Sequence, residues 1–155
     1  MLYLVYLFVV ISLVAIDQYS KSLVVTYIEL NDAKTIIPGF FKLNYVQNFG
    51  AGFSILQNSR TIFLIITPIC IVAFIYLLLK VKKGDILSKV ALLLMIGGTI
   101  GNFIDRIVTV YVVDFLDFII FGYDFPVFNF ADMCLTVGVF LYIITLFLET
   151  KNAKN

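Results

Sequence analysis

The chain has 155 residues, 62% of them hydrophobic and 14% charged, with a mean hydropathy of +1.06, far outside the range of soluble domains. A formal net charge of +1 offers nucleic acid no general attraction, so no nucleic-acid partner is expected. Histidine is absent, which removes Ser-His and Cys-His catalysis, the HExxH metalloprotease pattern and most zinc sites; chemistry must run on carboxylates, Lys, Arg, Tyr or hydroxyls.

Four stretches are long and apolar enough to cross a bilayer as helices, which takes about 20 residues each. The first, about 2–27, is uncharged as far as Ile16 and then runs on through Asp17 and Lys21. Lacking a basic start and an A-x-A cleavage signal, it reads as a retained helix that also directs insertion. Next comes a loop of about 28–60 in which "FFKLNYV" alternates apolar and polar residues after the turn signal Pro38-Gly39, the pattern of a small strand element. The second span, about 61–79, holds Pro68, which membrane helices tolerate. The link "KVKKGDILSK" that follows carries Lys80, Lys82, Lys83 and Lys89, and the tail adds Lys151 and Lys154; this bias places both termini in the cytoplasm and both long loops outside. The third span covers about 87–108, a second outer loop about 109–127, and the fourth span about 128–148. The expected fold class is therefore an all-α membrane protein, a four-transmembrane-helix bundle with a small extracytoplasmic β-rich element, formed by residues 1–155 as one integral membrane domain. Cys70 and Cys134 fall inside apolar runs and read as small buried side chains with no disulfide framework.

Depth turns the few intramembrane charges into a pattern. Asp105 lies roughly 24 Å along the third helix from Lys89, Asp132 roughly 28 Å along the fourth from Lys151, and Asp17 about 24 Å up the first, at 1.5 Å of rise per residue. Three carboxylates thus reach one level near the outer face. Gly98, Asn102 and Asp105 form one stripe of the third helix, and Asn129, Asp132 and Thr136 form another on the fourth. Gly97 and Gly101 have the GxxxG spacing that lets a second backbone approach closely. Asp17 and Lys21, at i and i+4, fit a structural ion pair. Two Asp side chains in close contact cannot easily both ionise, so one serves as base and the other as acid, the arrangement of an aspartic protease. Membrane carboxylates also serve ion pathways, which leaves a small transport or proton-relay protein as the alternative; carboxylates at a single level, rather than a ladder through the bilayer, stand against it.

"GGTIGNFIDR", "VVDFLDF" and "FPVFNFADMCLTVG", with "NFGAGFSIL" (48–56) and "DQYSK" (17–21), resemble the ordered motifs of bacterial lipoprotein signal peptidases, the signal peptidase II family. The resemblance implies an aspartyl endopeptidase that removes the signal peptide from diacylglyceryl-modified prolipoproteins just before the lipidated cysteine. It implies the bacterial cytoplasmic membrane as location and an active site near the extracytoplasmic face. Prolipoproteins and membrane lipids are the partners implied, with no obligate protein partner and no metal or organic cofactor. By the same resemblance Asp105 and Asp132 form the catalytic dyad, and Asn48, Gly50, Asn102, Arg106, Asn129 and Ala131 line or support the site. Asp17 and Lys21 match a first-helix pair near it, and Asp114 matches an aspartate read as supporting an outer segment. Gly52 stands where the family usually has the second Ala of its Gly-Ala-Ala-Phe run, which adds flexibility without removing a proton-transfer group.

Overall fold

A computed structural model of the chain describes residues 1–50 and 60–152; most of the "NFGAGFSIL" motif, with Gly52, and the tail residue Lys154 lie outside the described residues. Its elements run α1 (Leu2–Tyr27), β1 (Ala33–Ile37), β2 (Phe41–Asn48), α2 (Arg60–Lys80), α3 (Ile86–Val108), β3 (Val112–Ile120), β4 (Tyr123–Asp124) and α4 (Phe130–Asn152). All four helices are long and apolar enough to span a membrane.

Sequence decides which helix is central. In α3, 61% of the most apolar window is buried, against 6% in α1 and α2 and 22% in α4. The reason is its small residues: a Cβ on Gly97 would meet the side chain of Leu13, and one on Gly101 would lie 2.5 Å from Asp17 Oδ2, so the GxxxG pair seats α1. Gly98 faces the other way, where a Cβ would strike the carbonyl oxygen of Ala131 in α4. With α1, α2 and α4 packed around α3, the apolar side chains of α1 and α2 that point away from it form the surface a hydrocarbon solvent requires. Leu92, Leu93, Met95 and Ile96 of α3 join Leu78 of α2 in the main apolar core.

The starts of α3 and α4 are both capped. Asp85 accepts from the backbone N–H of Ser88 at 3.0 Å, opening α3. Asn129 opens α4: its Oδ1 accepts from Asp132 N at 2.9 Å while Asp132 Oδ2 accepts from Asn129 N at 3.2 Å, a reciprocal capping box. That cap sets the start of α4 at Phe130, two residues beyond the hydropathy reading, because Phe128 pairs with Leu116 of the sheet.

The sheet is antiparallel throughout, in the order β1-β2-β3-β4. Alternation in the first loop matches β2. The second loop gives β3, which carries no simple alternation because both of its faces are covered from Val112 to Phe115. Val113 and Phe115 pack with Tyr45 and with Val24 of α1, which docks the sheet on the helices. Asp114 projects from the opposite face, so the β3 register delivers it to the level where α3 and α4 present Asn102 and Asp132.

Candidate active site

Two connected polar clusters lie where the helices meet the sheet. In the first, Lys21 Nζ is 2.9 Å from Asp17 Oδ2 and 2.8 Å from Asp105 Oδ2, and it donates to Asn102 Oδ1 at 2.9 Å. Asp17 also accepts from the N–H of Ala131 at 3.0 Å, tying α1 to the first turn of α4. Asp105 receives Gln18 Nε2 on Oδ1 at 2.8 Å and Val113 N on Oδ2 at 3.2 Å. Both of its oxygens are thereby committed, one of them to an ammonium. Asp17, Lys21 and Asp105 are all buried, so each would be costly alone and they hold together as a set.

The second cluster contains no ammonium. Asn129, fully buried, donates Nδ2 to Asp114 Oδ1 at 2.7 Å and to Asn102 Oδ1 at 3.1 Å, while its backbone N–H serves Asp132. Asn102 completes the ring by donating Nδ2 to Asp132 Oδ1 at 2.7 Å. Asn48 Nδ2 reaches Asp114 Oδ2 at 2.9 Å, and its Oδ1 accepts from Gly50 N at 2.9 Å. Burial, with the Asp132 charge second, pushes the Asp114 carboxyl up to about 7 despite its amide donors. Arg106 donates to the carbonyls of Asn102 at 3.2 Å and Gly50 at 3.0 Å, and its guanidinium lies 4.6 Å from the ring centre of Phe63.

All the candidate residues read from the sequence therefore fall in one region: Asp17, Lys21 and Asp105 in the ion-paired cluster, Asn48, Asp114, Asn129 and Asp132 in the amide-held one, Asn102 shared between them, and Gly50, Arg106 and Ala131 at their edges. Thr136 of the fourth-helix stripe is exposed and takes no part. Gln18 carries no sequence signal, since it is an uncharged residue beside the Asp17–Lys21 pair, yet it contacts both Asp17 and Asp105. Arg60 was likewise unmarked; it binds the carbonyls of Arg106 and Ile107, covering orphan acceptors at the end of α3. Among the described residues no group of three acidic, Cys or His side chains is placed to hold a metal ion.

Below this region α2 and α4 both pack on α3 while hardly touching each other, which leaves a furrow of about 260 Å³ running down from Arg106 and Asp132. Asp132 lines it; Asp105 and Asp114 do not.

The family profile described as "Signal peptidase (SPase) II" matches residues 9–148. The chain belongs to the signal peptidase II family. A Staphylococcus aureus lipoprotein signal peptidase is 42% identical over 147 residues, which are 95% of this chain and 90% of the relative. Two solved bacterial membrane enzymes superpose closely: one with a TM-score of 0.90 and 40% identity, over 96% of this chain and 90% of the other, and one with 0.83 and 41%, over 92% of each. Family membership makes this multi-pass membrane protein a protease, and the transport reading finds no support.

Proposed function

We propose that this signal peptidase II family member is an aspartyl endopeptidase of the bacterial cytoplasmic membrane, cutting diacylglyceryl-modified prolipoproteins just before the lipidated cysteine, with Asp132 and Asp114 as the reacting pair. The observation that carries it is Asn129 binding both carboxylates at once where no ammonium neutralises either. Asp132, at the third position of α4, is held by Asn102 Nδ2 and the backbone N–H of Asn129 and borders the open furrow, which suits it as base. Asp114 keeps its proton up to about 7, which suits it as acid. In the forward step Asp132 takes a proton from water as the water oxygen attacks the amide carbon, and Asp114 hydrogen-bonds the carbonyl oxygen. Collapse breaks the C–N bond, and the departing amine receives the proton held by Asp132.

The sequence pointed to Asp105 beside Asp132. The hydrogen bonding supports Asp105 instead as a positioning residue, because both of its oxygens are held by other groups and it does not line the furrow. It fixes Lys21, which orients Asn102 and so Asp132.

Lysines at the link after α2 support cytoplasmic termini, with the sheet and the carboxylates on the outer side. A diacylglyceryl group anchored in the outer leaflet holds the scissile bond at that level, each buried CH2 contributing about 0.8 kcal/mol. Detergent-purified protein should cleave a diacylglyceryl-modified prolipoprotein peptide and leave its unmodified twin. Asp114→Asn and Asp132→Asn should each lower kcat about 10³-fold while staying folded, whereas Asp105→Asn keeps measurable turnover. An Asp114→Asn enzyme at wild-type rate would return the role of acid to Asp105.

A further inference from the structure

The furrow beneath Asp132 is more than an opening to the lipid. On the α2 side its wall is Phe63, Thr67, Cys70 and Phe74, one continuous helical stripe about 16 Å long. Its floor is α3, where Thr99 sits one turn below Asn102. Thr99 Oγ1 is buried and finds no hydrogen-bond partner among the described residues; it does not even bond back to its own helix, the usual refuge of a threonine hydroxyl in a membrane span. An unpaired hydroxyl at that depth is unfavourable unless something else brings an acceptor.

We infer that the furrow takes the substrate's own backbone, in extended form, on the side of the scissile bond nearer its N-terminus, and that Thr99 donates its hydroxyl to a carbonyl about two residues from that bond. The inference rests on the substrate and orientation proposed above: the residues preceding the cut enter from the bilayer, so they run downward from Asp132 along the furrow. Shape argues for an extended segment: the furrow is a narrow cleft between the α2 stripe and α3, lined along its length by side chains of one helix face. An extended chain in a water-poor groove exposes carbonyls that need donors, and Thr99 lies one helical turn below Asn102, whose Nδ2 holds Asp132 at 2.7 Å, which puts its hydroxyl about two extended residues from the reacting level. An acyl chain has no acceptor at this depth and would leave Thr99 unpaired. Thr99 is thus a substrate-positioning residue, and the furrow a subsite read through the main chain, with side-chain preference set by the apolar wall.

The test uses the full chain and a diacylglyceryl-modified precursor peptide with its signal residues intact. Cleavage by wild type comes first; if it fails, the peptidase reading itself falls. Given cleavage, Thr99→Val, which keeps the shape and removes the donor, should lower kcat/KM about fivefold to tenfold, chiefly through KM, and Thr99→Ser should restore it to within about twofold. Wild-type efficiency in Thr99→Val overturns the inference. Cys70 supplies a readout independent of turnover: in the Asp132→Asn variant, N-ethylmaleimide labelling of Cys70, mapped by mass spectrometry, should slow with saturating precursor but not with a diacylglyceryl-cysteine lacking signal residues. Equal protection by the lipid-only compound, or none by the precursor, overturns it too.

Discussion

The two polar clusters use the same residue types to opposite effect. Around Asp105, one buried lysine is ion-paired with two carboxylates, and every oxygen of Asp105 is occupied. Around Asp132, a second pair of carboxylates is hydrogen-bonded by amides, and burial, with the Asp132 charge second, keeps a proton on Asp114 to about 7. A buried cation converts acidic side chains into fasteners, whereas neutral donors fix their geometry and leave their acid–base chemistry available.

Removing the cation should break this contrast most severely. Lys21→Met leaves Asp17 and Asp105 buried without a counter-charge, and a loss of about 3–5 kcal/mol is expected in detergent unfolding measurements. Protection at neutral pH equal to wild type would show that the lysine is not the fastener. The glycines separate the clusters next. Gly101→Ala drives a methyl into Asp17 and should lower stability by about 1–3 kcal/mol, whereas Gly98→Ala displaces α4 at Ala131, next to Asp132, and should reduce kcat beyond any change in stability. Equal effects of the two on kcat would erase the distinction.

A gentler probe is pH. Between the ordinary carboxylate value of 3.8 and about 7, folded Asp114 holds a proton that the unfolded chain has released. Its contribution is therefore full at low pH and is lost as pH rises, by at most about 1.4 kcal/mol per unit, with no further loss above about 7. Asp114→Asn should flatten that part of the stability profile, and wild-type kcat/KM should decline above neutrality as the acid loses its proton. Gln18→Ala, which removes one of three donors to Asp105, should be the mildest change, about 1 kcal/mol, with turnover nearly intact.

Much of the site could be read from residue order because helices convert spacing into direction and bilayers convert length into depth. Asp105 and Asp132 reach one level by counting from lysines and Asp17 by counting from the start of the first helix, and the GxxxG pair marks a close approach that α1 fills. Asp114 was harder. It lies in β3, whose two covered faces give no period-2 signal, and only its pairing with β2 turns it toward Asn129.

By itself, then, the sequence determined the four apolar helices, the polar level near one end and the residue types available there, since hydropathy and helical period are local properties of the chain. Tertiary structure alone decided how those residues are partitioned. Whether a given carboxylate meets an ammonium or an amide depends on which helix packs against which face and on strand register, and these contacts join residues 81 and 87 positions apart in the case of Lys21 with Asn102 and Gln18 with Asp105.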